Sequence, residues 1–195
     1  MPGHKFDPAN HERLSDPGRA EFQPPEPALE ALGITSGETL LDIGAGTGYF
    51  LIPAAKLVGR AIGLDVSREM LGKLMAAVAA ECATNVDGML ITETSIPLTA
   101  GTAHAAICVN VLHEMDEPAK LLGEVRRVLK PDGRLLLVDW KKQETAKGPS
   151  LDHRVDIEAA RRALEEAGFV GNRELPLYEQ HYSILARSGD RGVEA

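Results

Sequence analysis

A chain of 195 residues with 44% hydrophobic and 26% charged content can bury the core of one soluble domain. Its net charge of −8 and 4% aromatic content argue against a surface that grips nucleic acid through phosphates or base stacking. Two widely separated cysteines, Cys82 and Cys108, suggest neither a disulfide framework nor a metal site, and read as small buried hydrophobes.

The first residues are polar and mixed in charge, unlike a secretory signal, and no apolar run approaches the ~18 residues needed to span a bilayer. A cytoplasmic location is therefore expected. Residues 1–23, with His4, Phe6, His11 and Phe22, show little periodicity. They read as an N-terminal arm that is either a loose surface segment or a cover for the site, with Phe6 or Phe22 over the ligand.

The main domain is expected over residues 24–187. Pro24, Pro25 and Pro27 suit the first turn of a helix that runs to Leu32 and stops at Gly33. A first strand follows, Thr39 to Ile43, and then the turn Gly44-Ala45-Gly46-Thr47-Gly48. Apolar residues from Phe50 to Leu57 recur at helical spacing. Ala61 to Val66 reads as a second buried strand, and Ser67 as the cap of a helix to about Ala80. Further strands are expected at Gly88–Thr92, Ala105–Leu112 and Arg134–Trp140, with an amphipathic helix between Glu117 and Leu129. A polar loop, Lys141 to Arg154, leads to a helix near Ile157–Ala167. Two last strands are placed at Glu174–Tyr178 and His181–Arg187, and residues 188–195 read as a flexible tail. Strands alternating with helices imply an α/β, Rossmann-like three-layer sandwich around a mostly parallel sheet.

Ligands on such sheets bind beyond the carboxyl ends of the strands. Most unusual polar residues fall there: Asp42, Asp65, Glu93, Asn110, His113 and Asp139. Glycine permits positive φ and close backbone approach, and the turn leads into a helix whose first N–H groups face outward. Asp65 ends the second strand about 20 residues beyond Gly44, where a carboxylate can accept hydrogen bonds from ribose hydroxyls. The glycines alternate as GxGxG rather than GxGxxG, and Asp42 beside the turn repels a diphosphate. The same acid favours an ammonium group. The turn suits a ribose joined to a positive charge.

The stretches LLDIGAGTGYF, GLDVSREML and VNVLHEMDEPAKLLGEVRRVLKPDGRLLLVDWKK together resemble class I S-adenosylmethionine-dependent methyltransferases. Within them the chain is most similar to the ubiquinone/menaquinone-biosynthesis type (methyltransferase type 11-like), over about residues 25–187. The resemblance implies a seven-stranded sheet with an antiparallel last strand and S-adenosylmethionine as cofactor. It places Asp42, Gly44, Ala45, Gly46 and Gly48 around the methionine moiety and nearby ribose, and Asp65 on the ribose hydroxyls. Val66 and Met70 would flank the adenine, and Asn110 would reach the methionine end. The acid that usually meets the adenine amino group is missing from Thr92-Glu93-Thr94, and Glu93 is the substitute one position along.

Methyl transfer needs a base only where the acceptor has a proton to lose. His113 and His153 are the candidates, and His153-Arg154 could also grip an anionic or carbonyl acceptor. No metal is expected. An NPPY tetrapeptide is absent and thiols for arsenite are too few, so a small-molecule acceptor is favoured, with no nucleic-acid partner. Two other readings remain: a module that binds the cofactor or S-adenosylhomocysteine without catalysis, and an NAD-type oxidoreductase. The sequence leaves the oligomeric state open, a homodimer included.

Overall fold

The apolar runs on either side of the glycine turn become the middle of a sheet because both of their faces are covered. The structure, a computed structural model, describes residues 18–190. Its elements are α1 (Arg19–Phe22), α2 (Pro25–Leu32), β1 (Thr39–Ile43), α3 (Leu51–Ala55), β2 (Arg60–Asp65), α4 (Arg68–Ala80) and β3 (Val86–Leu90). They continue with β4 (Ala103–Val109), α5 (Pro118–Val128), β5 (Leu129–Trp140), α6 (Ile157–Glu166), β6 (Val170–Glu174) and β7 (His181–Arg187). One sheet runs β3-β2-β1-β4-β5-β7-β6. The pairs among β1 to β5 are parallel, and β7 runs antiparallel to both β5 and β6.

Alternation along each strand sends side chains to two layers. Leu41, Ile43, Ile62, Leu64, Cys108, Leu135 and Leu137 pack with α5 and α6 on one side. Leu40, Ala61, Ala105, Ile107, Leu136 and Val138 pack with α2, α3 and α4 on the other. In α5 the buried residues Leu121, Leu122, Val125 and Val128 lie at helical spacing, and each fully buried aliphatic of this kind contributes roughly 1.5–3 kcal/mol.

Local signals set most boundaries. Gly33 closes α2 in the left-handed conformation, at φ 62°. Ser67 caps α4 by accepting from the Met70 N–H, and Asp156 caps α6 by accepting from the Ala159 N–H.

Several elements depart from the sequence reading. β3 and β4 begin two residues earlier, and β4 ends at Val109 because Asn110 turns left-handed, at φ 58°. β5 begins at Leu129, immediately after α5, and its register with β4 shifts across the Pro131-Asp132-Gly133 bend. β6 occupies Val170–Glu174 rather than Glu174–Tyr178; it is an edge strand with largely exposed side chains and carries no apolar alternation. Ser188 is not loose: it is buried, its N–H donates to Gly133 O and its hydroxyl to Lys130 O. Residues 191–195 lie outside the described residues, as do His4, Phe6 and His11 of the arm.

Candidate active site

The strand order reverses between β1 and β4, and the crevice opens at their carboxyl ends. A cavity of about 890 Å³ lies there, lined on the turn side by Asp42, Gly44, Ala45 and Gly46 and beyond it by Asp65, Val66, Met70 and Glu93. Arg19, Tyr49, Asn110, Val111 and Glu114 also line it. Nine of the ten residues expected around the cofactor therefore share one wall. The tenth, Gly48, turns away from it. A Cβ there would stand 2.7 Å from Leu74 Cδ1, so this glycine serves close packing between the turn and α4.

The turn does not present free donors. Gly44 and Ala45 N–H both donate to Leu64 O, Gly48 N–H donates to Ala45 O, and Gly46 N–H donates to the Asp65 carboxylate. These four N–H groups of the turn are used within the fold rather than turned toward a phosphate. Gly44 adopts φ 69°, and a Cβ on it would come within 2.4 Å of Val111 Cγ2. The Gly44 backbone packs directly against the Val111 side chain here.

Two carboxyls face the cavity in different states. Asp65 accepts from Gly46 N–H at 3.1 Å and from Ser67 N–H at 2.8 Å, which fixes both oxygens. Burial raises its pKa, and the backbone donors hold it down. Asp42 is buried. Burial pushes it up to about 8, against the pull of Arg19 and with the repulsion of Asp65.

Residues 18–23 belong to the arm read either as a loose segment or as a cover for the site, and Arg19 among them lines the cavity. The Arg19 guanidinium lies 4.3 Å from the Tyr49 ring centroid and donates through Nε and Nη2 to Gln23 Oε1. Gln23 Oε1 also accepts from Asn110 Nδ2 at 2.9 Å. Arg19, Gln23 and Asn110 thus tie α1 to the end of β4. The available signal was the four-residue spacing of Arg19 and Gln23 just before Pro24-Pro25, which puts both on one helical face. Phe22 does not line the cavity; it packs on Trp140 and His181.

The structure does not bring the two candidate bases to the wall. His113 Nδ1 sits 2.8 Å from Asp139 Oδ1, and the His113 N–H donates to Asp139 Oδ2. Its side chain is 8% exposed and Asp139 is fully buried. Burial opposes charging His113, but the hydrogen bond and charge of Asp139 prevail and raise its pKa. His113 anchors the short 3-10 helix Leu112–Glu114, which carries Glu114 to the cavity. His153 is exposed in the loop after β5, with Nδ1 3.1 Å from Ser150 Oγ. Arg154 is buried and holds that loop together through Pro149 O, Lys141 O, Gln143 O, Lys147 O and Thr145 Oγ1. Its donors are taken.

Residues 41–137 match a family described as a methyltransferase domain. A crystal structure of an S-adenosylmethionine-dependent methyltransferase from Aquifex aeolicus superposes with a TM-score of 0.90 at 33% identity, covering 94% of this chain and 99% of that one. The chain belongs to the S-adenosylmethionine-dependent methyltransferases. Among curated relatives, the arsenite methyltransferase of Halobacterium salinarum is 30% identical over 80% of this chain and 44% of its own length. The demethylmenaquinone methyltransferase of Tropheryma whipplei is 32% identical over 58% of this chain and 46% of its own. The chain spans less than half the length of these two relatives. No helix among the described residues is long and apolar enough to cross a membrane.

Proposed function

We propose that the chain transfers a methyl group from S-adenosylmethionine to a small-molecule acceptor. The observation that carries this reading is the pairing of Asp42 and Asp65 across the glycine turn in one cavity, with the turn's own N–H groups already used. An acidic wall without free amides suits a ribose and a cation, and disfavours the diphosphate of NAD. Bound cofactor supplies the activated methyl group on its sulfonium.

In this reading the chain's residues bind and orient. Asp65, held by two backbone donors, accepts from the ribose hydroxyls through its remaining lone pairs. Asp42 gains from a nearby ammonium the compensation that its buried site lacks. Arg19 is the cation beside it, placed for the cofactor carboxylate. Val66 and Met70 present apolar surface for the adenine, and Glu93 an acceptor for its amino group. Gly44, Ala45 and Gly46 admit close approach, and Asn110 offers Oδ1, which has no hydrogen-bond partner among the described residues. His113 acts as a positioning residue, through Asp139 and the 3-10 helix. His153 is left as a surface donor on the acceptor side.

The acceptor is proposed to be uncharged. Arsenite is disfavoured, since Cys82 is exposed and Cys108 fully buried, and two such thiols make no shared cage. Titration calorimetry with S-adenosylhomocysteine and with NADH tests the cofactor reading. S-adenosylhomocysteine is expected to bind and NADH not to bind; the reverse overturns it. Release of S-adenosylhomocysteine on incubation with acceptors separates an enzyme from a binding module.

A further inference from the structure

A helix of four residues does not hold itself, so α1 depends on what it touches. On the cavity side Arg19 lies over the Tyr49 ring, the Tyr49 hydroxyl donates to Gln23 O, and Gln23 Oε1 accepts from Asn110. On the far side the anchor is Phe22. It stacks on His181 nearly parallel, with centroids 6.3 Å apart and planes at 7°, and leans on Trp140 at 6.1 Å.

His181 is the floor under that ring. It opens β7 directly opposite Trp140, whose centroid is 4.1 Å away, and Tyr178 meets it edge-on at 5.9 Å. The Tyr178 hydroxyl is spent on Pro24 O. His181 is 1% exposed, and neither ring nitrogen has a hydrogen-bond partner among the described residues. An imidazolium there would have two donors to satisfy with water excluded, so the site tolerates the neutral ring and resists the charged one. Most charges nearby act the same way. Arg19 of α1, Lys141 just past β5 and Arg154 in the following loop oppose charging, and Lys147 of that loop sets its Nζ 5.3 Å from the Phe22 centroid. Asp139 favours charging, but its carboxyl is already bonded to His113 and to the Trp140 N–H. Burial is the largest cause, and it pushes the ring down to about 3.

We propose that His181 is a positioning residue that seats α1 only while its imidazole is neutral, so that mild acid releases α1, with Arg19, from the cavity wall while the sheet stays folded. A released imidazole ionises near 6.5 and the docked one near 3. Docking is therefore fully favoured above 6.5 and weakens as pH falls through that window, since the released form takes up the proton. At pH 5 release is favoured about thirtyfold over its value at pH 8. The consequence for the cofactor rests on the methyltransferase reading above, in which Arg19 meets the cofactor carboxylate; the release of α1 does not.

Trp140 is the only tryptophan, so its indole N–H gives one peak in a 15N correlation spectrum. In the ligand-free full chain that peak is expected to move as pH falls from 8 to 4, with a midpoint below 6.5, while the backbone amide peaks of β1, β2 and β4 stay dispersed. His181→Phe, which stacks but does not ionise, is expected to hold the peak still. Calorimetry with S-adenosylhomocysteine at pH 7.5 and pH 5 gives the second readout: native affinity is expected to fall at least about fivefold further than that of His181→Phe. Asp42, Asp65 and His113 are present in both proteins, so the difference belongs to His181. An indole peak that ignores pH, an equal shift or an equal loss of affinity in His181→Phe, or amide peaks that collapse together with the indole peak overturns the proposal. Failure to bind S-adenosylhomocysteine at pH 7.5 removes the cofactor reading instead, and the indole titration still decides the release of α1. Should His181→Phe not fold, His181→Gln, which does not ionise either, takes its place.

Discussion

Asp42 is held in an environment that resists its charge, and Gly44 in a conformation that resists any side chain. The Asp42 carboxyl ionises near 8 in the folded protein and near 3.8 in the unfolded chain. Between those values folding takes up a proton, so stability falls as pH rises through that window. Asp42→Asn is expected to raise the melting temperature of the ligand-free protein at pH 8 and to weaken S-adenosylhomocysteine binding. Calorimetry and thermal denaturation on the same samples read both effects. Asp65→Ala removes the proposed ribose acceptor and the partner of Gly46 and Ser67 N–H; about 2–3 kcal/mol of S-adenosylhomocysteine binding, measured by calorimetry, is expected to go with it. Gly44→Ala forces a Cβ against Val111 at positive φ, and a loss of about 2 kcal/mol in urea unfolding is expected.

Elements place these residues, and the least conspicuous elements matter most. α1 has four residues, yet Arg19 on it reaches the cavity wall, and Gln23 immediately after it reaches the end of β4. Gln23→Ala leaves Arg19 and Asn110 without their shared acceptor, and S-adenosylhomocysteine affinity is expected to drop about tenfold, with a loss of about 1–3 kcal/mol in chemical denaturation. The 3-10 helix after β4 depends instead on a buried pair. His113→Ala strands Asp139 and is expected to cost about 3 kcal/mol in chemical denaturation. Because the His113 pKa is raised above 6.5, the pair contributes fully below that pH, and its contribution fades as pH rises through the folded-state value. The edge strand β6 was misplaced along the chain, while β7 was located correctly. The difference is burial: β7 is almost wholly buried and reads as an apolar run, whereas β6 shows solvent most of its side chains.

For the whole molecule, the cavity at the strand ends couples both layers of the sandwich. It takes Met70 from α4 on one side of the sheet and Leu121 from α5 on the other. A ligand that binds only the folded chain stabilises it by about 2.7 kcal/mol at a hundredfold excess over Kd. For a chain of this size that corresponds to a rise of about 5–10 °C in melting temperature. S-adenosylhomocysteine is expected to produce it, and NADH is not.

The parallel sheet, the glycine turn with Asp42 and Asp65, and the cavity-lining residues Val66, Met70 and Asn110 were legible in the sequence. Period, turn chemistry and strand-end position are local properties, and adjacent residues carry them. What needed the tertiary structure was every contact between segments distant in sequence. His113 was a candidate base from its strand-end position, and only the fold shows Asp139, 26 residues on, bonded to its ring. Arg154 looked like an acceptor grip until five loop acceptors took its donors. His181 looked like the polar start of a strand until Phe22 and Trp140 closed around it. Which donors are free, and which imidazole stays neutral, depends on burial and partners that only the folded chain brings together. The glycine turn shows both sides: its spacing specified the left-handed bends, and the packing of β2 beside it determined that its N–H groups would serve the fold.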